Sequence, residues 1–334
     1  MSQQSKQVSL IRLGKLFLMF GFTLYLILCV TMAVSQRSFI YYPSVYTLPQ
    51  VDQMAQSAKL ERWTNSTGQF IGLKRLSPKQ PADGVVLVTY GNGSTAIGSS
   101  HYADDIQKVA ALDVFILEYP GYEDRPGSPS QKNLFNAAGE AFQMLPTNKP
   151  VYIVGESLGS GVASYLAGTY PDKIAGIVLI SPFNRLTSVA QNHYPILPVW
   201  FLMMDRFPSE VYLRNYHGKV GITADGRDAI VPEKFGLRLY NGYIGPKKTF
   251  GISKWRLLSD HGTAIEILGR SHRILGNQSN NKIMFRIGID LGEWFSVHLF
   301  HQASWRSYLE SGLTLFKRSD EGGLCDALAG AFVI

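Results

Sequence analysis

Val151-Tyr152-Ile153-Val154-Gly155-Glu156-Ser157-Leu158-Gly159-Ser160-Gly161 is the stretch on which the reading of the fold turns. Val151 to Val154 are all β-branched or aromatic, which predicts a strand buried on both faces. The residues from Leu158 onward predict a helix over 158–169, opened by small side chains. Ser157 falls on the join, with Gly155 two residues before it and Gly159 two after. A sharp strand-to-helix turn needs small residues at those two positions to relieve crowding, and it lifts the serine hydroxyl clear of the backbone. A glycine-rich turn with a solvated serine would show the same spacing. With 32 glycines in 334 residues the spacing alone is cheap; the strand before it and the helix after it give it weight.

Outward from this turn the chain alternates. Val/Ile/Leu-rich runs at 84–90, 113–119, 150–154, 174–180 and 219–223 read as buried strands. Segments of helical length separate them at 100–111, 131–145, 158–169 and 232–241. Such alternation predicts right-handed crossovers and an α/β fold with a doubly wound parallel sheet. A short strand pair that includes 69–76 precedes it. Residues 184–216, rich in proline and bulky apolar side chains, read as a cap-like excursion between strands. Beyond about 268 the pattern is faint, with one helix expected near 287–299 and an apolar tail at 324–334.

A serine hydroxyl is a weak nucleophile unless a base, usually histidine, is oriented beside it by a carboxylate. Asp228 lies in the polar turn after the 219–223 strand, where ligands of open α/β sheets gather, with Asp225 as its rival. Either also suits an ordinary Asx turn. The histidines that follow are His261, His272, His298 and His301. His261, in the polar loop Ser259-Asp260-His261-Gly262-Thr263, is the favoured base. His272 stands among Arg270 and Arg273, whose charge opposes an imidazolium, and the last two fall in or near an expected helix. Donors for a developing oxyanion are the N–H of Leu158, next after the serine, and the N–H of Asn92 in the turn Tyr90-Gly91-Asn92-Gly93-Ser94. Glycines there let backbone approach a substrate.

Composition narrows the remaining choices. With 46% hydrophobic and 17% charged residues the chain is no disordered polymer. Two cysteines, Cys29 and Cys325, build neither a disulfide scaffold nor a multi-cysteine metal site, so no metal is expected. The net charge of +7 comes from scattered lysines and arginines rather than a basic face, which argues against nucleic acid as a partner. Residues 16–34 carry no charge at all, and as a helix they would extend about 28 Å, against a hydrocarbon layer of about 30 Å. A cleaved signal peptide is the competing reading, but the run is long and no clean Ala-x-Ala follows it. Lys6, Arg12 and Lys15 precede the run and Arg37 alone follows closely, so the expected topology is a cytoplasmic tail (1–15), a single-pass anchor (16–34) and an exported domain (37–334).

With these residues in view, the chain resembles the α/β-hydrolase superfamily, and within it the membrane-anchored, single-domain serine hydrolases related to anchored lipases and depalmitoylases. The likeness is carried by Tyr90-Gly91-Asn92-Gly93, Glu118-Tyr119-Pro120-Gly121-Tyr122, Arg125-Pro126-Gly127-Ser128-Pro129-Ser130, 155–161 and 228–232, and spans about 39–246. It implies a mostly parallel eight-stranded sheet with helices on both faces, a Ser-acid-His triad, and ester or thioester cleavage without a cofactor. By position it makes Ser157 the nucleophile, Asp228 the acid, and Asn92 and Leu158 the oxyanion donors. Two departures accompany it: Tyr90 stands where the family usually has histidine, and His261 arrives later than the family's base after Pro246-Lys247-Lys248. The expected substrate is a small acyl ester or a lipid-like molecule. A serine peptidase and a catalytically inactive binding protein of the same fold are the alternatives.

Overall fold

The computed structural model describes residues 3–245, apart from 45, 147 and 227, together with 253–255. Side chains are described from Ile11 onward, those of Asp225 and of 253–255 excepted. His261, His272, His298, His301, Cys325 and the segments expected at 287–299 and 324–334 lie outside the described residues.

Helix α1 (Gln3–Ile40) leads into α2 (Leu48–Ser57), β1 (Glu61–Thr64) and β2 (Phe70–Arg75). The alternating part follows: β3 (Gly84–Thr89), α3 (His101–Val109), β4 (Leu112–Leu117), α4 (Gln131–Gln143), β5 (Val151–Glu156), α5 (Leu158–Thr169) and β6 (Gly176–Ile180). Three short helices, α6 (Leu186–His193), α7 (Val199–Leu202) and α8 (Ser209–Tyr212), fill the stretch before β7 (Lys219–Asp225). Helix α9 (Glu233–Gly242) and β8 (Ser253–Trp255) complete the described elements.

The eight strands lie in one sheet, in the order β1-β2-β4-β3-β5-β6-β7-β8. β2 pairs antiparallel with both β1 and β4, and every pair from β4 across to β8 is parallel. Every residue of β3, β4 and β6 is buried, as expected of parallel strands covered on both faces. The winding reverses at β3. The chain leaves β3 for β4 on one side, then returns past β3 to β5 and continues the other way. Right-handed crossovers in opposite directions put α3 on one face of the sheet and α4 and α5 on the other. Accordingly α5 packs on both α4 and α8. The seam is aromatic: Phe135 of α4 stacks on Tyr165 of α5, ring centroids 4.1 Å apart, and meets Phe207 and Tyr212 edge-on.

The reversal leaves a crevice beyond the carboxyl ends of β3 and β5, the position at which open α/β sheets bind ligands. The two turns singled out in the sequence, 90–94 and 155–161, leave the sheet at these two ends.

Helix α1 continues beyond the uncharged run, through Gln36, Arg37 and Ser38 to Ile40. The span Ile11–Ile40 is long and apolar enough to cross a membrane, and most of it is exposed.

Candidate active site

Ser157 joins β5 to α5 with φ 48° and ψ −116°, a left-handed conformation that costs energy for a residue with a Cβ. Its surroundings hold it there. The Ser157 N–H donates to the Ile180 carbonyl at 2.8 Å, and its carbonyl accepts from the Ser160 N–H at 2.9 Å and the Ser160 hydroxyl at 2.6 Å. The flanking glycines are required by space. A Cβ on Gly155 would lie 2.6 Å from the Gly159 oxygen, and one on Gly159 would lie 2.2 Å from the Thr89 oxygen. The turn is therefore pressed onto the end of β3, where the Thr89 hydroxyl donates to the carbonyls of Gly159 (2.9 Å) and Val154 (3.2 Å). The Ser157 hydroxyl has no hydrogen-bond partner among the described residues.

The turn after β3 runs past this serine. A Cβ built on Gly91 would meet the Ser157 Cβ at 3.5 Å, ordinary contact. The next residue, Asn92, is fixed from three directions. Its carbonyl accepts from the Tyr122 hydroxyl at 2.7 Å and from the Tyr42 N–H at 3.3 Å. Its side-chain amide donates to the Ile40 carbonyl at 2.8 Å. Neither the Asn92 N–H nor the Leu158 N–H has an acceptor among the described residues. Both N–H groups belong to the turns that meet at the serine, and backbone donors can receive a developing negative oxygen.

Asp228 follows β7 by three residues, and its Oδ1 accepts from the N–H groups of Ile230 (2.9 Å) and Val231 (2.8 Å). This is the Asx-type turn the sequence allowed. It fixes the carboxylate and leaves Oδ2 without a partner among the described residues. His193, from α6, reaches this loop and bonds the Ile230 carbonyl at 2.9 Å. His261 and His272 both lie outside the described residues, as does the side chain of Asp225.

Beneath the 90–94 turn is a group of buried polar residues to which sequence reasoning gave no joint role. Glu118 is fully buried at the end of β4 and accepts from the N–H groups of Ala96 and Tyr119, each at 2.9 Å, and from the Tyr90 hydroxyl. The Tyr119 hydroxyl in turn donates to the Tyr90 carbonyl at 2.8 Å. Burial, followed by the neighbouring Glu123, pushes the Glu118 carboxyl well above the usual carboxylate range. Tyr90, at the position where histidine is usual, therefore serves local packing: its ring stacks obliquely on Tyr119 and its hydroxyl serves Glu118. The visible signal was an acid directly after the apolar run Val114-Phe115-Ile116-Leu117.

Comparison with known proteins agrees with this architecture. The family described as "alpha/beta hydrolase fold" matches residues 86–216. An uncharacterized protein of Mycobacterium tuberculosis, Rv2307c, is 32% identical over 219 residues, covering 64% of this chain and 77% of its own length. Lysophosphatidylserine lipase ABHD12 of Danio rerio is 30% identical over 186 residues, 48% of each chain, and the Bos taurus protein of that name is 26% identical over 239 residues, 64% of this chain and 57% of its own. The present chain thus spans about half the length of these lipases. Among solved structures, an α/β hydrolase from Vibrio vulnificus is 18% identical with a TM-score of 0.48, over 63% of this chain and 78% of its own. The chain belongs to the α/β-hydrolase family.

Proposed function

We propose that this protein is a membrane-anchored serine hydrolase that cleaves carboxylic esters or thioesters of lipid-like acyl groups through an acyl-enzyme. The observation that carries this reading is the conformation of Ser157, held at positive φ beside Gly91, with the N–H groups of Asn92 and Leu158 unpartnered among the described residues. In the reaction the Ser157 hydroxyl adds to the acyl carbonyl carbon while the imidazole of His261, oriented by Asp228, takes its proton. The oxyanion is received by the Asn92 and Leu158 N–H groups. The leaving alcohol or thiol departs with the proton from His261, and water repeats the sequence to release the acid. No metal or cofactor enters. The lipases named among the relatives support a lipid-like substrate. The uncharged run at 16–34, preceded by Lys6, Arg12 and Lys15, supports a single-pass anchor with the catalytic domain on the non-cytoplasmic side.

The test is labelling by a fluorophosphonate probe, with wild type and Ser157→Ala compared in membranes. Labelling confined to the wild type is expected, with hydrolysis of p-nitrophenyl esters lost by about 10⁴-fold or more in the variant. No labelling leaves the fold as an inactive binding protein, and equal labelling places the reactive nucleophile at a residue other than Ser157. A sharp preference for short acyl chains excludes the lipid-like substrate.

A further inference from the structure

One stripe of α1 is attached to the segment between β6 and β7. Positions 25, 29, 32, 36 and 40 recur at the three- and four-residue spacing of a single helix face. The Tyr25 hydroxyl donates to the Ile196 carbonyl at 2.9 Å. Cys29 is buried with Leu197, Val199 and Met203, and Met32 and Ile40 pack on the same group. The Gln36 amide donates to the Leu202 carbonyl (3.2 Å) and accepts from the Met204 N–H (2.7 Å). Arg37 and Tyr41 converge on the buried carboxylate of Asp205, at 3.2 and 3.0 Å.

This attachment begins in the middle of the uncharged run. Between Leu16 and Leu24 the helix rises only about 14 Å before protein accompanies it, far short of a hydrocarbon layer of about 30 Å. A span formed by 16–34 therefore takes its companion into the lipid with it. The companion is suited to that: residues 195–204 contain no charge. While Leu197, Val199 and Met203 face the helix, Ile196 (73% exposed), Trp200 (69%), Phe201 (70%) and Met204 (58%) face away from the protein. Four large apolar side chains so exposed within ten residues mark a contact surface. The outward side chains of the helix at the same level, Leu24, Val30 and Val34, are exposed as well. Both stretches also turn polar together, since the first charge after each is Arg37 and Asp205, and these two form one ion pair.

We propose that residues 195–204 are immersed in the leaflet on the domain's side, alongside α1, with the Arg37–Asp205 pair marking the upper edge of the hydrocarbon. The occupant of this surface is phospholipid acyl chain. The proposal rests on reading α1 as a membrane span. It also sets the height of the candidate site: Ile40, less than a turn above Arg37, bonds Asn92, and Gly91 lies against Ser157. A lipid ester at the headgroup boundary meets the serine without crossing water.

The experiment places single nitroxide labels on the full chain in phosphatidylcholine nanodiscs, in a background carrying Cys29→Ala and Cys325→Ala. Trp200→Cys and Phe201→Cys report on the segment, Leu18→Cys on the helix, and Lys132→Cys on an exposed site of the domain. Collision with oxygen, which partitions into lipid, is compared with collision with a water-soluble nickel chelate. Labels at 18, 200 and 201 are expected to favour oxygen several-fold relative to the label at 132. Label 18 in lipid with 200 and 201 in water overturns the proposal and leaves the anchor standing. All labels in water overturn the anchor and the proposal together. Should Trp200→Cys fail to fold, Ile196→Cys carries the same reading.

Discussion

Glu118 is a fully buried carboxyl beneath the 90–94 turn. Its carboxyl is pushed upward from an ordinary value of 4.5 by burial and by Glu123, so the folded protein keeps a proton that the unfolded chain releases. The sign follows from linkage: the stabilising contribution is complete below the ordinary carboxylate range and is lost as pH rises through the folded value. Glu118→Gln keeps a neutral side chain whose oxygen, at the Oε1 position, can still accept from Tyr119 and Tyr90, while its amide nitrogen takes the place of the oxygen that accepts from Ala96. It is expected to flatten the fall of unfolding midpoint with rising pH above about 4.5, measured by thermal denaturation across the range. An unchanged slope assigns the pH dependence elsewhere. The base is a second question of this scale. His261→Ala is expected to reduce ester turnover by about 10⁴-fold, and His272→Ala to leave it within a few-fold, in steady-state assays of membranes. The opposite pattern transfers the role to His272. The turns that hold Ser157 and Asp228 were legible because turn chemistry is local, whereas the fixing of Asn92 was not. The partners of Asn92, Ile40, Tyr42 and Tyr122, are brought to it by the fold.

Among the elements, α5 was the most legible, with bounds at Leu158 and Thr169 as its residue pattern indicates. Buried strands were almost as clear, because continuous Val/Ile/Leu content has few other uses in a domain of this size. Helix α1 runs past the uncharged stretch 16–34 at both ends. Its last turns, through Gln36 and Arg37, are polar, and they stay helical because Asp205 and the Leu202 and Met204 backbone receive them. Nothing near residue 36 announces partners about 170 positions away. Helix α2 was missed for a different reason: it is short, and its start rests on the Thr47 N–H donating to Gln50 Oε1 at 2.9 Å. The packing of β3 against α5 makes a quantitative claim. Gly159→Ala forces a Cβ to 2.2 Å from the Thr89 oxygen and 2.7 Å from the Tyr90 oxygen, both main chain. A loss of about 3 kcal/mol is expected from chemical denaturation in detergent. Gly91→Ala meets the Ser157 Cβ at 3.5 Å and the Glu156 oxygen at 4.0 Å, both ordinary contacts, and should leave that midpoint where it is.

At the scale of the whole molecule the sheet order does the positioning. With β4 and β5 on opposite sides of β3, the turns carrying Asn92 and Ser157 leave the sheet side by side, and β7 brings Asp228 to the same edge. That arrangement was foreseeable from the alternation of strands and helices. The relation between α1 and the rest of the chain was not, because residues 16–34 alone suggest a tether with a body hung from it. In the structure there is no slack between the two. Ile40, the last residue of α1, is bonded to Asn92, and Tyr41 and Tyr42 bond Asp205 and Asn92 in turn. The long helix is a lever whose short arm ends on the turn that runs past the serine. Any change in the inclination of that rod is carried through Ile40 to Asn92, so the turn beside Ser157 is coupled to whatever surrounds the far end of the helix.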